Sequence, residues 1–220
     1  VWSAQSDGLC YGLTNSSLII NPGTNVFTVV DDDTTAPTLS GLNVGGGTGI
    51  GCGAGGGCPD PSRTNLVAGD IAIFGMNTLT TGSENYDSFG FVVLVDIPTG
   101  TEIKFTDNGW KAAGGFRSNE GVLTWRATNC VQAGTVVRWI ATNTPVLNNG
   151  IIAATSGNFA PNIQGEQILA YQGPESSPTF IYAVNDRLAG VWDVDAFDSH
   201  SSALPPGLVD GFTAVGVGEY

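Results

Sequence analysis

Short apolar runs alternate with turn-forming residues along most of this chain, and they predict strands. Residues 91–95 form an unbroken β-branched and aromatic run of strand length, which indicates a central strand buried on both faces. In the next run Ile103 and Phe105 alternate with polar positions, as in a half-buried strand. Pro98 and Gly100 lie between the two runs and favour a turn. The pattern therefore predicts two adjacent antiparallel strands.

Similar runs recur on both sides of this pair, and turn residues separate them. They predict further strands at residues 70–75, 122–126, 136–140, 167–171 and 179–183. Short strands at this spacing are typical of an antiparallel β-sandwich, so the predicted fold class is all-β. Residues 185–206 have mixed polarity and predict either a short helix or an irregular lid.

The first 64 residues have a different pattern. Residues 17–20 and 26–30 predict a β-hairpin around an Asn-Pro-Gly-Thr turn. A lone hairpin is marginal in water, so its strands must complete the main domain, finish a preceding domain or pair with a neighbouring molecule. We divide the chain into an N-terminal strand arm or remnant of an Ig-like domain (1–40), a Gly-rich linker (41–64) and a β-sandwich module (65–220).

Charge narrows the classes of partner. The 220 residues include 20 acidic against 7 basic side chains, a formal net charge of −13. This charge repels phosphate backbones and anionic lipids, so we expect neither nucleic-acid binding nor membrane insertion. The acidic composition predicts a secreted or cell-surface protein. The absence of an initial Met and of a signal sequence predicts a piece of a longer precursor.

The chain has four cysteines, an even number that permits two disulfides. Cys52 and Cys58 flank a flexible Gly-rich loop, which leaves Cys10 and Cys130 as the second pair. Four free thiols in a cytosolic protein are the alternative. Oxidation is favoured because lysine is scarce and no Cys-x-x-Cys metal spacing occurs.

Three adjacent aspartates, Asp31, Asp32 and Asp33, precede Pro37 in a segment typical of acidic connectors between bacterial surface domains. Carboxylates are preferred ligands of Ca²⁺, so these residues are the candidate metal site, and Ca²⁺ is the one cofactor considered. The alternative, a solvated linker, is the commoner role of such a run.

His200 is the only histidine, so any mechanism that needs an imidazole must use it. Ser199, Ser201 and Ser202 adjoin it and Asp198 precedes it. Catalytic triads are assembled from separated loops, however, and the chain has no Gly-x-Ser-x-Gly motif. A surface loop is therefore favoured over a catalytic centre.

Glycosidase chemistry needs two carboxylates facing each other across a cleft. The acids nearest to aromatic residues are Glu102, Asp107, Glu120 and Glu166. Glu102 shares a strand face with Lys104 and is predicted to pair with it, while Asp107 is interpreted as a turn-former. The pattern singles out no pair, so no catalytic residue is assigned and the chain is predicted not to be an enzyme.

Aromatic side chains in loops suggest a sugar platform, because rings stack on apolar sugar faces. Trp110 and Trp192 lie in or beside loops, with Asn108 and Asp193 nearby as hydrogen-bonding residues. These four are the candidate ligand-binding residues. Rim packing is the alternative and is the commoner role of loop tryptophans.

Several motifs together resemble an extracellular β-sandwich module of large secreted bacterial proteins, with a more distant similarity to lamin-tail domains. They are GDIAI (69–73), FVVLVDIP (91–98), FTDNGW (105–110) and EGVLTW (120–125). The resemblance covers residues 66 to 220. It implies an extracellular β-domain found beside nuclease, phosphatase or adhesin-like regions, and it carries over no catalytic residue.

These observations favour a non-enzymatic extracellular structural or adhesive module. We expect it to self-assemble into a homo-oligomer, surface polymer or filament, because the N-terminal strands need a sheet to join and the linker is long enough to reach a neighbour. The alternatives are a carbohydrate-binding module of a secreted hydrolase or nuclease, and a hydrolase that uses His200.

Overall fold

The computed structural model describes residues 64–78, 87–141, 146–147, 149–163, 165–187 and 190–217. They all belong to one compact unit, Cys58–Tyr220. Within these ranges the chain forms ten strands: β1 (Ile71–Asn77), β2 (Ser88–Val93), β3 (Glu102–Thr106), β4 (Val122–Arg126), β5 (Val136–Ile140), β6 (Val146–Leu147), β7 (Ile151–Ser156), β8 (Gln167–Gln172), β9 (Thr179–Asn185) and β10 (Ala214–Gly216).

The strands form two sheets, of order β1-β2-β5-β6 and β10-β9-β8-β3-β4-β7. Every pairing is antiparallel except the one between β10 and β9. The all-β prediction is confirmed. The predicted hairpin arm and nearly all of the Gly-rich linker lie outside the described residues, so the proposed domain boundaries stay predictions.

The main core holds inward-facing side chains of both sheets. Phe91 from the four-stranded sheet lies 5.0 Å from Phe105 and 5.5 Å from Trp125, centroid to centroid, and both of these belong to the six-stranded sheet. Trp139 of β5 is also buried in this cluster. Aromatic contacts at this spacing add to the stabilisation from buried area. Trp125 and Trp139 are therefore core residues.

A second apolar cluster covers the other face of the six-stranded sheet. In β8, Leu169 and Tyr171 belong to it, whereas Ile168 and Ala170 face the main core. Its other buried members are Val122, Phe180, Ala183, Leu208 and Ala214, and Trp110, Phe116 and Trp192 pack against it. Strands β8 and β9 are thus buried on both faces, which explains their near-continuous apolar sequence.

The predicted pairing of the first two runs is wrong. Strand β2 pairs with β1 and β5, whereas β3 pairs with β4 and β8 in the other sheet. The predicted turn does form, since Thr101 N donates to Pro98 O at 3.2 Å, but the segment containing it connects the two sheets. Strand β2 is central in its sheet, as predicted, but the run 91–95 is only partly buried, since Val92 is half-buried and Leu94, which follows the strand, is 51% exposed.

Strand β7 was not predicted from the sequence. It follows an Asn-rich stretch and forms the edge of the six-stranded sheet, paired to β4 on one side. Residues 190–213 are mainly irregular, with no α-helix in the described parts of the chain. None of those parts forms a helix long and apolar enough to cross a membrane.

Among the cysteines, only Cys130 falls within the described ranges, half-buried in the loop between β4 and β5. Both predicted disulfides involve residues outside those ranges, so the pairing stays a prediction.

Candidate functional site

Three carboxylates meet at one end of the six-stranded sheet. Asp107 directly follows β3, while Glu120 and Glu166 closely precede β4 and β8. Because β3 is antiparallel to both of those strands, its end lies beside their beginnings. Residues far apart in the sequence are thereby brought close enough for their charges to interact.

Asp107 is buried and ties two loops to the sheet. Its Oδ1 accepts a hydrogen bond from Gly121 N at 2.7 Å, and its Oδ2 accepts one from Ala160 N at 2.8 Å. Burial still raises the pKa of Asp107 above its ordinary value, although both backbone hydrogen bonds lower it. The interpretation of Asp107 as a simple turn-former is therefore incomplete.

Glu166 is the most buried carboxylate of the three, with 2% of its surface exposed. Its carboxylate accepts hydrogen bonds from Gln167 N at 3.1 Å and Asn162 N at 3.3 Å. Burial, and secondarily the charges of Glu120 and Asp107, raise its pKa to about 9. Glu166 therefore carries a proton at neutral pH.

Glu120 lies nearer to solvent than Glu166. Burial raises its pKa to about 7, Asp107 adds to this rise, and Arg117 opposes it. One oxygen, Oε1, is 3.7 Å from Arg117 Nη1. The other oxygen, Oε2, is buried and has no hydrogen-bond partner among the described residues. An unpaired buried oxygen is costly, so Glu120 can accept a further donor.

An open cleft of about 400 Å³ adjoins Glu120. The loop between β3 and β4 supplies most of its wall, the end of β7 contributes Ser156, and the turn between β8 and β9 contributes two residues. The lining residues are Asn108, Phe116, Arg117, Ser118, Asn119, Glu120, Val122, Ser156, Glu175 and Ser176. The cleft is therefore mainly polar, with one aromatic ring.

Only one of the four predicted ligand-binding residues lines the open cleft. Asn108 lines the cleft, but Trp110 is half-buried and its ring meets Phe180 edge-on at 5.0 Å. Trp192 packs against the same second cluster as Trp110. Asp193 accepts a hydrogen bond from Arg187 Nη1 at 3.4 Å. Both tryptophans therefore pack against the second cluster, and their role in ligand binding stays a prediction.

The loop around His200 is held by its own hydrogen bonds. Ser201 Oγ accepts from the backbone N of Phe197 and of Asp198, both at 2.8 Å. Asp198 Oδ1 accepts from Arg187 Nη1 at 3.0 Å and from His200 N at 2.9 Å.

The imidazole itself bonds to a backbone carbonyl. His200 Nδ1 lies 3.1 Å from Gly165 O, so this nitrogen donates, and Nε2 is 3.3 Å from Ser199 Oγ. The carboxylate of Asp198 binds Arg187 and the backbone N of His200, not the imidazole. The loop is therefore arranged as a structural turn.

The predicted ion pair between Glu102 and Lys104 is not formed. Lys104 Nζ instead donates to Gly173 O at 2.8 Å, and Glu102 is exposed. The reason is that the turn after β8 brings a backbone carbonyl within reach of the lysine.

Within the described ranges, no group of three or more His, Cys, Asp or Glu side chains is arranged to hold a metal ion. Asp31, Asp32 and Asp33, the candidate Ca²⁺ site, lie outside those ranges, so that prediction is untested.

Comparison with known proteins gave no match: no family model, curated protein or solved structure is significantly similar to the chain. The resemblance to a bacterial extracellular module is therefore supported only as far as a two-sheet β fold.

Proposed function

We propose that this chain is a non-enzymatic extracellular structural or adhesive module that assembles with copies of itself by strand addition. The observation that carries the proposal is the outer edge of β7. Its sequence is Ile-Ile-Ala-Ala-Thr-Ser, without charge or proline, and five of its six residues are exposed. Among the described strands none pairs with this edge.

Exposed edge strands are usually protected by charges, prolines, bulges or short length, because their unpaired backbone groups bind other strands. The other sheet edges have such protection. Strands β6 and β10 have two and three residues, and β1 has a bulge between Ile73 and Gly75. Strand β7 also has a bulge, at Ala153, but five of its six residues are exposed, against two of seven in β1. It is therefore the edge that best suits strand addition.

The partner strand in this proposal is residues 26–30 of a second copy. Their sequence, Val-Phe-Thr-Val-Val, has high strand propensity, and they precede a long Gly-rich segment. Backbone hydrogen bonds to β7 would supply affinity, and alternate side chains would set the register. Repeated donation from copy to copy would produce a polymer.

The test is light scattering of the full chain over a range of concentrations, with electron microscopy of the same samples. We expect concentration-dependent assembly that Ala153→Lys weakens at least about ten-fold, because a charged side chain on an edge opposes pairing. Ala133→Lys, at an exposed turn position, is the matched control and should assemble like the parent chain. Thr28→Pro, which removes a backbone donor from the proposed partner strand, should weaken assembly similarly.

A parent chain that stays monomeric at every concentration would refute the proposal. Equal assembly of the two lysine variants would exclude β7 as the receiving edge.

A further inference from the structure

The open cleft beside Glu120 has no role in strand addition, and its wall is built to keep one shape. Arg117 N donates to Gly109 O at 2.7 Å, and Glu120 N donates to Asn108 Oδ1 at 3.3 Å. Asn119 has a φ of +83°, a conformation that non-glycine residues seldom adopt. These contacts fix the loop before any ligand arrives, which lowers the entropic cost of binding.

Phe116 supplies the one aromatic ring in the cleft lining, and other aromatic rings of the second cluster pack against it. Its ring centroid lies 5.1 Å from Trp110, 5.0 Å from Tyr171 and 5.7 Å from Phe180. A half-buried ring that is fixed in this way offers a rigid apolar surface at the side of a polar cleft. The two surfaces together suit a ligand with both apolar faces and hydrogen-bonding groups.

The charged side chains in the cleft lining disfavour charged ligands. Glu120 and Glu175 disfavour an anionic ligand, as does the net charge of −13. Arg117, which is 3.7 Å from Glu120 Oε1, disfavours a cation at the same place. The groups that remain are the hydroxyls of Ser118, Ser156 and Ser176 and the amide of Asn119.

We propose that this cleft binds a neutral saccharide, with Glu120 Oε2 as a hydrogen-bonding group for a sugar hydroxyl. Glu120 lines the cleft, and its Oε2 is covered and unpartnered within the described structure, so a small rotation of the carboxylate would let a ligand hydroxyl satisfy that oxygen. A volume of about 400 Å³ falls in the range of small-ligand sites, about 300–1,000 Å³. Because a hydroxyl both donates and accepts, it suits Glu120 in either protonation state.

The test is titration calorimetry of the full chain with neutral hexasaccharides of glucose, mannose, galactose and xylose, and with oligogalacturonate and chitosan oligomers as charged probes. We expect at least one neutral hexasaccharide to bind. Glu120→Ala should weaken that binding about ten-fold, the effect of losing one hydrogen bond to this side chain. Asn119→Gly, which keeps the positive φ without strain, should weaken it as well.

Glu102→Ala removes an exposed carboxylate outside the cleft and is the matched control, with affinity unchanged. Absence of binding to every neutral hexasaccharide, binding of the charged probes alone, or equal affinity of the Glu102 and Glu120 variants would each overturn the proposal. Ala153→Lys should retain saccharide binding, so failure of the assembly proposal would be distinguishable from failure of this one.

Discussion

Asp107 is a single side chain that holds three segments together. Its two carboxylate oxygens accept hydrogen bonds from Gly121 N, just before β4, and from Ala160 N, in the loop after β7. Its backbone carbonyl accepts from Gln167 Nε2 of β8. Each oxygen thus satisfies a donor that burial would otherwise leave unpaired.

Replacement of Asp107 by Asn tests this role, because an amide keeps one acceptor oxygen and loses the other. One backbone N–H would then face an NH₂ group, and we expect a loss of about 1–3 kcal/mol in the free energy of unfolding. Asp96→Asn is the control, since the Asp96 side chain accepts from Ala133 N through one oxygen at an exposed site. Urea denaturation of both variants measures the difference. Equal stabilities would show that Asp107 does not hold the loops.

Among the connections between elements, the corner between β6 and β7 carries the chain from one sheet to the other. Trp125 of β4 fixes this corner, because its Nε1 donates to Asn149 O at 2.8 Å. Gly150 follows with a φ of +100°, and a Cβ atom there would lie 2.3 Å from Trp125 Nε1 and 2.7 Å from Arg126 O. The corner therefore requires glycine for both its conformation and its close approach.

Gly150→Ala should destabilise the domain much more than Gly134→Ala. Gly134 also has a positive φ, +87°, but no atom lies within 4 Å of a Cβ added there. The control therefore carries only the conformational cost, about 1 kcal/mol, while the Gly150 variant must also displace the Trp125 ring. We expect a further loss of about 2 kcal/mol or more, as for an overpacked core. Thermal unfolding with tryptophan fluorescence would measure both, and equal melting temperatures would contradict this account.

Alternation along the sequence identified strands well and their partners poorly. Ile103 and Phe105 were correctly assigned to the core, because period-two burial depends only on local spacing. Alternation carries no information on which strand lies alongside, so the separation of β2 and β3 into different sheets was not predictable. Strand β7 was not predicted, because an exposed edge strand has no buried face that would require alternating apolar residues.

For the molecule as a whole, the candidate site was only partly predictable. The sequence drew attention to Asp107, Glu120 and Glu166, but nothing local shows that they meet, since the pairing of β3 with β4 and β8 brings them together. The second apolar cluster was not predictable either, because the tertiary fold alone brings its residues together. Its covering residues, among them Trp110, Trp192 and Leu208, come from loops far apart in the chain.

This arrangement of carboxylates makes the stability of the whole domain depend on pH. Glu166 titrates at about 4.5 in an unfolded chain and at about 9 in the folded domain, and Glu120 rises from about 4.5 to about 7. Between these limits the folded state holds protons that the unfolded state has lost. The contribution of these two carboxyl groups to stability is therefore fully present below about pH 4.5 and is lost as the pH rises toward 9.

We expect the free energy of unfolding to fall by several kcal/mol between pH 5 and 9, at about 1.4 kcal/mol for each unit by which folded and unfolded pKa values differ. Glu166→Gln imitates the protonated carboxyl and cannot ionise, so it should flatten the decline above pH 7 and leave the part due to Glu120. Glu102→Gln makes the same substitution at an exposed site and should give a decline parallel to that of the parent chain. Guanidinium denaturation of the parent chain and of both variants at pH 5, 7 and 9 measures the free energy of unfolding of each protein. Parallel curves for all three proteins would assign the decline to general charge repulsion, because the buried carboxyl would then have no effect of its own.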